Sequence, residues 1–165
     1  MRIYPAQIAC FVVLALLSSA QESKTPPPAL PGSEYSGMYT FLREGEFVQL
    51  TVEDKGRVSG FVSRYGDQES DRGAFLDHFF KPGKGKLDGN LLTFATETVH
   101  GVWFEFRGAV ERGEGKKAGD EAFYVLKGTL TEYSTDEAQK TSARSREVAL
   151  KSFPRDLAPV PPKRD

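Results

Sequence analysis

Residues 102–110 read Val-Trp-Phe-Glu-Phe-Arg-Gly-Ala-Val. Taken alternately, Val102, Phe104, Phe106, Gly108 and Val110 fall on one side, and Trp103, Glu105, Arg107 and Ala109 on the other. Successive side chains of a β-strand point to opposite faces. A period of two therefore predicts a strand with one face toward a core and one toward solvent.

The same period runs outward in both directions. Toward the C-terminus, 123–133 places Tyr124, Leu126, Gly128 and Leu130 in one register, and 146–153 follows as a last strand. Toward the N-terminus, strands are expected at 37–42, 47–53, 57–65, 75–80 and 91–98. Asp54-Lys55-Gly56 and Asp88-Gly89-Asn90 are tight-turn signals, because glycine supplies the positive φ that short hairpins need. The best helical candidate, 135–144, is polar all round and has no face to bury.

Eight sequential strands with short connections predict an all-β domain, an antiparallel up-and-down β-barrel, with a two-sheet β-sandwich as the alternative. Barrel closure removes exposed strand edges that invite aggregation. In strand count, length and export this layout resembles avidin-like and lipocalin-like barrels. The resemblance is architectural, since Gly37-Met38-Tyr39 stands where a Gly-x-Trp would be expected. It implies a fold and leaves function to the site.

Outside the β region the chain changes character. Arg2, the uncharged apolar run 8–17 and Ser18-Ser19-Ala20 have the three-part layout of a cleavable signal peptide over residues 1–20. An apolar run of about 10 residues spans roughly 15 Å as a helix, half a bilayer core, so no membrane span is expected after cleavage. A Pro-rich disordered linker is expected at 21–34, the barrel at 35–154, and a Pro-rich disordered tail at 155–165. The expected location is periplasmic or secreted.

The one cysteine, Cys10, lies in the signal, so no disulfide or thiol chemistry is available to the exported part. Without Arg2 there are 21 basic residues against 23 acidic, a net charge of −2. That balance gives no footprint for nucleic acid.

Two polar residues share the inward apolar register: Arg64, two after Val62, and His78, between Leu76 and Phe80. At a barrel mouth they would orient an anionic or hydrogen-bonding small-molecule ligand. On the opposite face, Trp103, with Phe123 and Val125 on the next strand, is the candidate interaction surface for an envelope protein partner.

No catalytic residue, cofactor or metal is predicted. The loop 66–73 alternates acidic residues but lacks the glycine and glutamate positions of a calcium loop. His78 and His100 are too few for a zinc site without cysteine, and Asp77 points away from His78 across the strand. No Gly-x-Ser-x-Gly elbow is present. The sequence thus favours non-catalytic ligand binding, with an envelope interaction or structural module as the alternative; an enzyme has no motif behind it.

Overall fold

The computed structural model describes residues 29–155, apart from 68, 70 and 137. The expected signal, most of the linker and the tail beyond Arg155 lie outside the described residues.

The domain is all-β, and its described residues form nine strands: β1 (Gly37–Thr40), β2 (Phe47–Val52), β3 (Val58–Tyr65), β4 (Phe75–Phe79), β5 (Lys86–Asp88), β6 (Leu91–Ala95), β7 (Val102–Arg112), β8 (Tyr124–Thr135) and β9 (Thr141–Lys151). They form two antiparallel sheets, a four-stranded one ordered β1-β2-β3-β4 and a five-stranded one ordered β5-β6-β7-β8-β9. Within each sheet every strand pairs with its sequence neighbours, whereas the meander is interrupted between β4 and β5, which do not pair with each other.

The margins of the two sheets are tied by single bridges. Phe80 forms a bridge with Thr96, Lys81 N–H donates to Ala95 O at 2.8 Å, and Glu97 N–H to Phe79 O at 2.7 Å. On the other side, Tyr39 bridges Ser152, and Phe153 N–H donates to Met38 O at 2.9 Å. Both edges of the four-stranded sheet therefore touch the five-stranded one.

The expected inward register forms the core. Val48, Leu50, Val52, Val58, Val62, Phe80, Leu92, Phe94, Phe104, Phe106, Leu126, Leu130 and Leu150 are all buried, whereas Leu76 and Val148 are half-buried. Phe94 lies between Phe80 and Phe106, stacked on both, with centroids 4.3 and 5.3 Å away. Burying one such ring is worth about 1.5–3 kcal/mol, so this column contributes substantially to folding. It also fills the middle of the domain with side chains.

Three local features differ from the sequence reading. A ninth strand, β5, is only three residues long, too short to show a period. It buries Leu87 while Gly85 O accepts from Val58 N–H at 3.0 Å. Gly56, at φ 69°, is required beside it, because a Cβ there would sit 2.2 Å from Leu87 O.

Second, the candidate helix 135–144 is the tip of the β8–β9 hairpin, and β9 begins five residues before the expected Arg146. Cross-strand hydroxyl pairs hold it: Ser134–Ser142 at 2.8 Å and Thr135–Thr141 at 3.1 Å.

Third, a 3-10 turn, Ser33–Tyr35, occupies the end of the expected linker. Tyr35 packs edge-on against Tyr124 at 5.0 Å, and its carbonyl accepts from Tyr39 Oη at 2.6 Å.

Candidate functional site

Arg64 and His78 come together in the structure. β3 and β4 pair Val62 with His78 and Arg64 with Leu76, so the two polar side chains are diagonal neighbours on the inner face. Arg64 Nε donates to His78 Nε2 at 3.1 Å. Both are buried, His78 completely and Arg64 to within 5%. Phe104 of β7 lies beneath them, 5.2 Å from the imidazole and 5.8 Å from the guanidinium carbon.

This geometry sets the state of the imidazole. A ring nitrogen that accepts from an arginine carries no proton, which assigns the remaining proton of the neutral ring to Nδ1. Burial, and then the neighbouring Arg64 charge, lower the His78 pKa to about 4, against a weaker opposite pull from the carbonyls of Glu97 and Val102. His78 is thus a neutral acceptor that orients Arg64.

The guanidinium has two further acceptors. Arg64 Nη1 donates to Tyr65 O at 3.1 Å and to Asp67 Oδ2 at 2.6 Å. Arg43, in the loop between β1 and β2, reaches the same place: its Nη2 donates to Tyr65 O at 3.1 Å and to Asp67 Oδ1 at 3.0 Å. Arg43 Nε donates to Glu46, a carboxylate 2% exposed that also accepts from the backbone N–H of Arg43 and Tyr65. These bonds answer how Glu46 is tolerated inside, since a buried carboxylate needs donors on its oxygens.

A cavity of about 190 Å³ opens at this end of the domain. Arg43, Arg64 and Arg146 line it opposite Glu46, Asp67 and Glu132, with Phe104 among its apolar walls. Arg146 Nη2 donates to Glu132 at 3.0 Å, whereas its Nε is buried without a hydrogen-bond partner among the described residues. Positive and negative charges balance, and the cavity reaches Arg64 without His78 among its lining residues. Such a site can hold a small polar molecule by charge-assisted hydrogen bonds. Larger hollows of about 450 and 520 Å³ share Thr93, Arg107 and Thr129 on the outer face of the five-stranded sheet, over surface side chains.

Trp103, Phe123 and Val125 do not form one patch. Trp103 is half-buried and stacked on Tyr133, centroids 5.0 Å apart and rings nearly parallel. Phe123 is half-buried against the core, with the Arg112 guanidinium 3.9 Å from its ring centre. Val125 is buried, and it pairs with Glu111, eight positions along β8 from the Trp103–Tyr133 pair. At ~3.3 Å per residue that separation is about 26 Å.

The exposed aromatic surface is elsewhere. On the outer face of the four-stranded sheet, Phe75 is 50% and Phe79 59% exposed, with Met38 at 39%. Half-buried Phe61 stands between Phe47 and Phe79, at 5.8 and 5.4 Å, and Tyr65 leans on Phe75 at 4.4 Å. Phe153 extends the row past Met38. The signal was present in the odd register of the same strands, where Phe75 and Phe79 alternate against the inward residues Leu76 and His78.

His100, at φ 49° in the turn before β7, pairs through Nδ1 with Asp71 at 2.7 Å, joining the β3–β4 loop to that turn. Among the described residues no three His, Cys, Asp or Glu side chains converge as a metal site, and no helix is long and apolar enough to cross a membrane. No protein-family model matches the chain, and a search of curated proteins finds no match.

Proposed function

We propose that this is an exported, non-catalytic binding protein that seats a small anionic ligand in the Arg64 cavity. The observation that carries the reading is Arg64 itself. Burying an arginine until only 5% of it is exposed is costly unless its charge is held, and this one is oriented by a neutral histidine at the wall of an open cavity. The cavity is smaller than the usual range of ~300–1,000 Å³ for drug-sized ligands. Its volume equals that of about six waters, so the ligand has only a few heavy atoms.

Export is supported by the layout of residues 1–20. We read the two sheets as one flattened meander closed on itself, supported by the bridges Phe80–Thr96 and Tyr39–Ser152. In that reading the Phe80–Phe94–Phe106 column occupies the axis and leaves only the mouth for a ligand.

A thermal-shift series on the chain lacking residues 1–20 tests the reading. Short carboxylates, phosphate and sulfate are compared with uncharged analogues at constant ionic strength. A ligand that binds only the native state raises its melting temperature by mass action. A saturable rise abolished by Arg64→Met supports the cavity, and indifference to every small anion sinks it.

A second reading is favoured by the outer-face row Phe153, Met38, Phe61 and Phe79, exposed except at half-buried Phe61 and crossed at β2 by half-buried Gln49. Apolar surface of this kind marks interaction sites. The row is about 19 Å across at ~4.8 Å per strand, too small for the ~800 Å² that each side of a stable dimer buries. Its occupant in this reading is one extended apolar segment of an envelope protein. Competition between such peptides and a fluorescent hydrophobic dye, lost in Phe79→Ser, checks it; a dye that binds Phe79→Ser equally well removes the support.

A further inference from the structure

Two guanidiniums from separate elements converge on one carboxylate. Arg43 holds Asp67 Oδ1 at 3.0 Å and Arg64 holds Asp67 Oδ2 at 2.6 Å, while both donate to the carbonyl of Tyr65. The burial is lopsided. The Arg64 side chain is 6% exposed, and the Asp67 side chain that neutralises it is 58% exposed. The other partners of Arg64, a neutral imidazole and a backbone carbonyl, carry no negative charge. Arg43 has Glu46 of its own, leaving Asp67 as the anion that Arg64 contacts.

Taking Asp67 away would leave two adjacent cations, one of them buried, facing an open cavity. A buried charge stripped of its partner is strongly unfavourable, so the position has a built-in demand for an anion from solution. The demand is also shaped. The two donors, one from each guanidinium, address the two oxygens of one carboxylate with charge-assisted hydrogen bonds.

We infer that the Arg43–Arg64 pair is a carboxylate site and that Asp67 fills it in the free protein. This rests on reading the mouth cavity as a ligand site and names the ligand class: a short carboxylic acid, whose carboxylate replaces that of Asp67. Asp67 then acts as an internal competitor that lowers affinity in the wild type, in proportion to the fraction of time it occupies the pair. Arg146, held by Glu132 through Nη2, lines the same cavity.

The test is a thermal-unfolding titration of Asp67→Ala with sodium acetate, against sodium chloride at matched ionic strength. Acetate is expected to restore part of the lost melting temperature saturably, by several degrees more than chloride. Its apparent affinity is expected to be about tenfold or more above that for wild type. Asp67→Asn, which keeps the shape and removes the charge, gives the same comparison should the alanine variant fold poorly. The shift of the Arg64 Nε–H resonance on adding acetate reports the site directly. If acetate acts no better than chloride on both variants, the inference is overturned; if sulfate restores as well as acetate, the carboxylate class is overturned. A wild type that answers to no small anion, beside an Asp67→Ala that answers to acetate, would sink the ligand-binding reading and leave the carboxylate site standing.

Discussion

Arg64 Nε donates to His78 Nε2 across 3.1 Å, wholly inside the protein, so one buried cation is oriented by one neutral imidazole. The bond joins the chemistry of the cavity to the stability of the fold, and both can be measured.

Stability is expected to fall as pH drops from 6.5 to 4. In the unfolded chain His78 takes up a proton near its ordinary value of 6.5, whereas the folded protein resists protonation until about 4. The unfolded state therefore binds more protons throughout that window. Stability is complete above it and diminished below it, by on the order of 2–3 kcal/mol from this residue. Denaturant unfolding at intervals between pH 7.5 and 4 measures the slope. The difference from His78→Gln isolates the contribution of this residue; parallel curves for the two proteins would refute it.

Arg64→Met is expected to raise the His78 pKa without returning it to 6.5. The Arg64 charge is the second cause of the lowered value and burial is the first, and burial stays. The variant also loses charge-assisted hydrogen bonds and is expected to be about 2 kcal/mol less stable. A proton-NMR titration of the imidazole reads the first effect, and a pKa unchanged from wild type would contradict the observed pairing.

Phe94→Ala removes the middle ring of the Phe80–Phe94–Phe106 column. A loss of about 3–5 kcal/mol is expected in equilibrium unfolding, because the flanking rings are held separately, Phe80 just after β4 and Phe106 in β7, and cannot both collapse into the gap. A loss below about 1.5 kcal/mol would mean that the column is loosely packed.

Phe79→Ser is expected to leave stability within about 1 kcal/mol of wild type while reducing the binding of a hydrophobic dye. The ring is 59% exposed and touches mainly Phe61, so little buried area is lost. A large destabilisation would show instead that the aromatic face is a structural element.

Most of the strand pattern could be read without coordinates. The alternation at 102–110 appears as β7, and the inward set from Val48 to Leu150 appears as the core, because burial on one face forces a period of two. The same logic placed Arg64 and His78 on the inner face. It did not provide Arg43, Glu46, Asp67 or Arg146, which come from a loop, a strand margin, a second loop and a different sheet. Short β5 and the hydroxyl ladder at the tip of β8–β9 carry too little hydrophobic contrast to register as strands. The aromatic outer face was visible in the letters, yet alternation alone cannot say which of two apolar registers faces water.

By itself, then, the sequence determined an all-β chain, the turns that join its strands, and which face of most strands turns inward. These are set by local sterics and by the partition of apolar side chains from water, both readable along one strand. The tertiary structure alone decided that two sheets of four and five strands form, that Arg43 and Arg64 share Asp67, and that Trp103 and Val125 lie far apart. Those outcomes depend on register and on the closeness of residues distant in sequence, where a shift of a few ångströms makes or breaks a hydrogen bond.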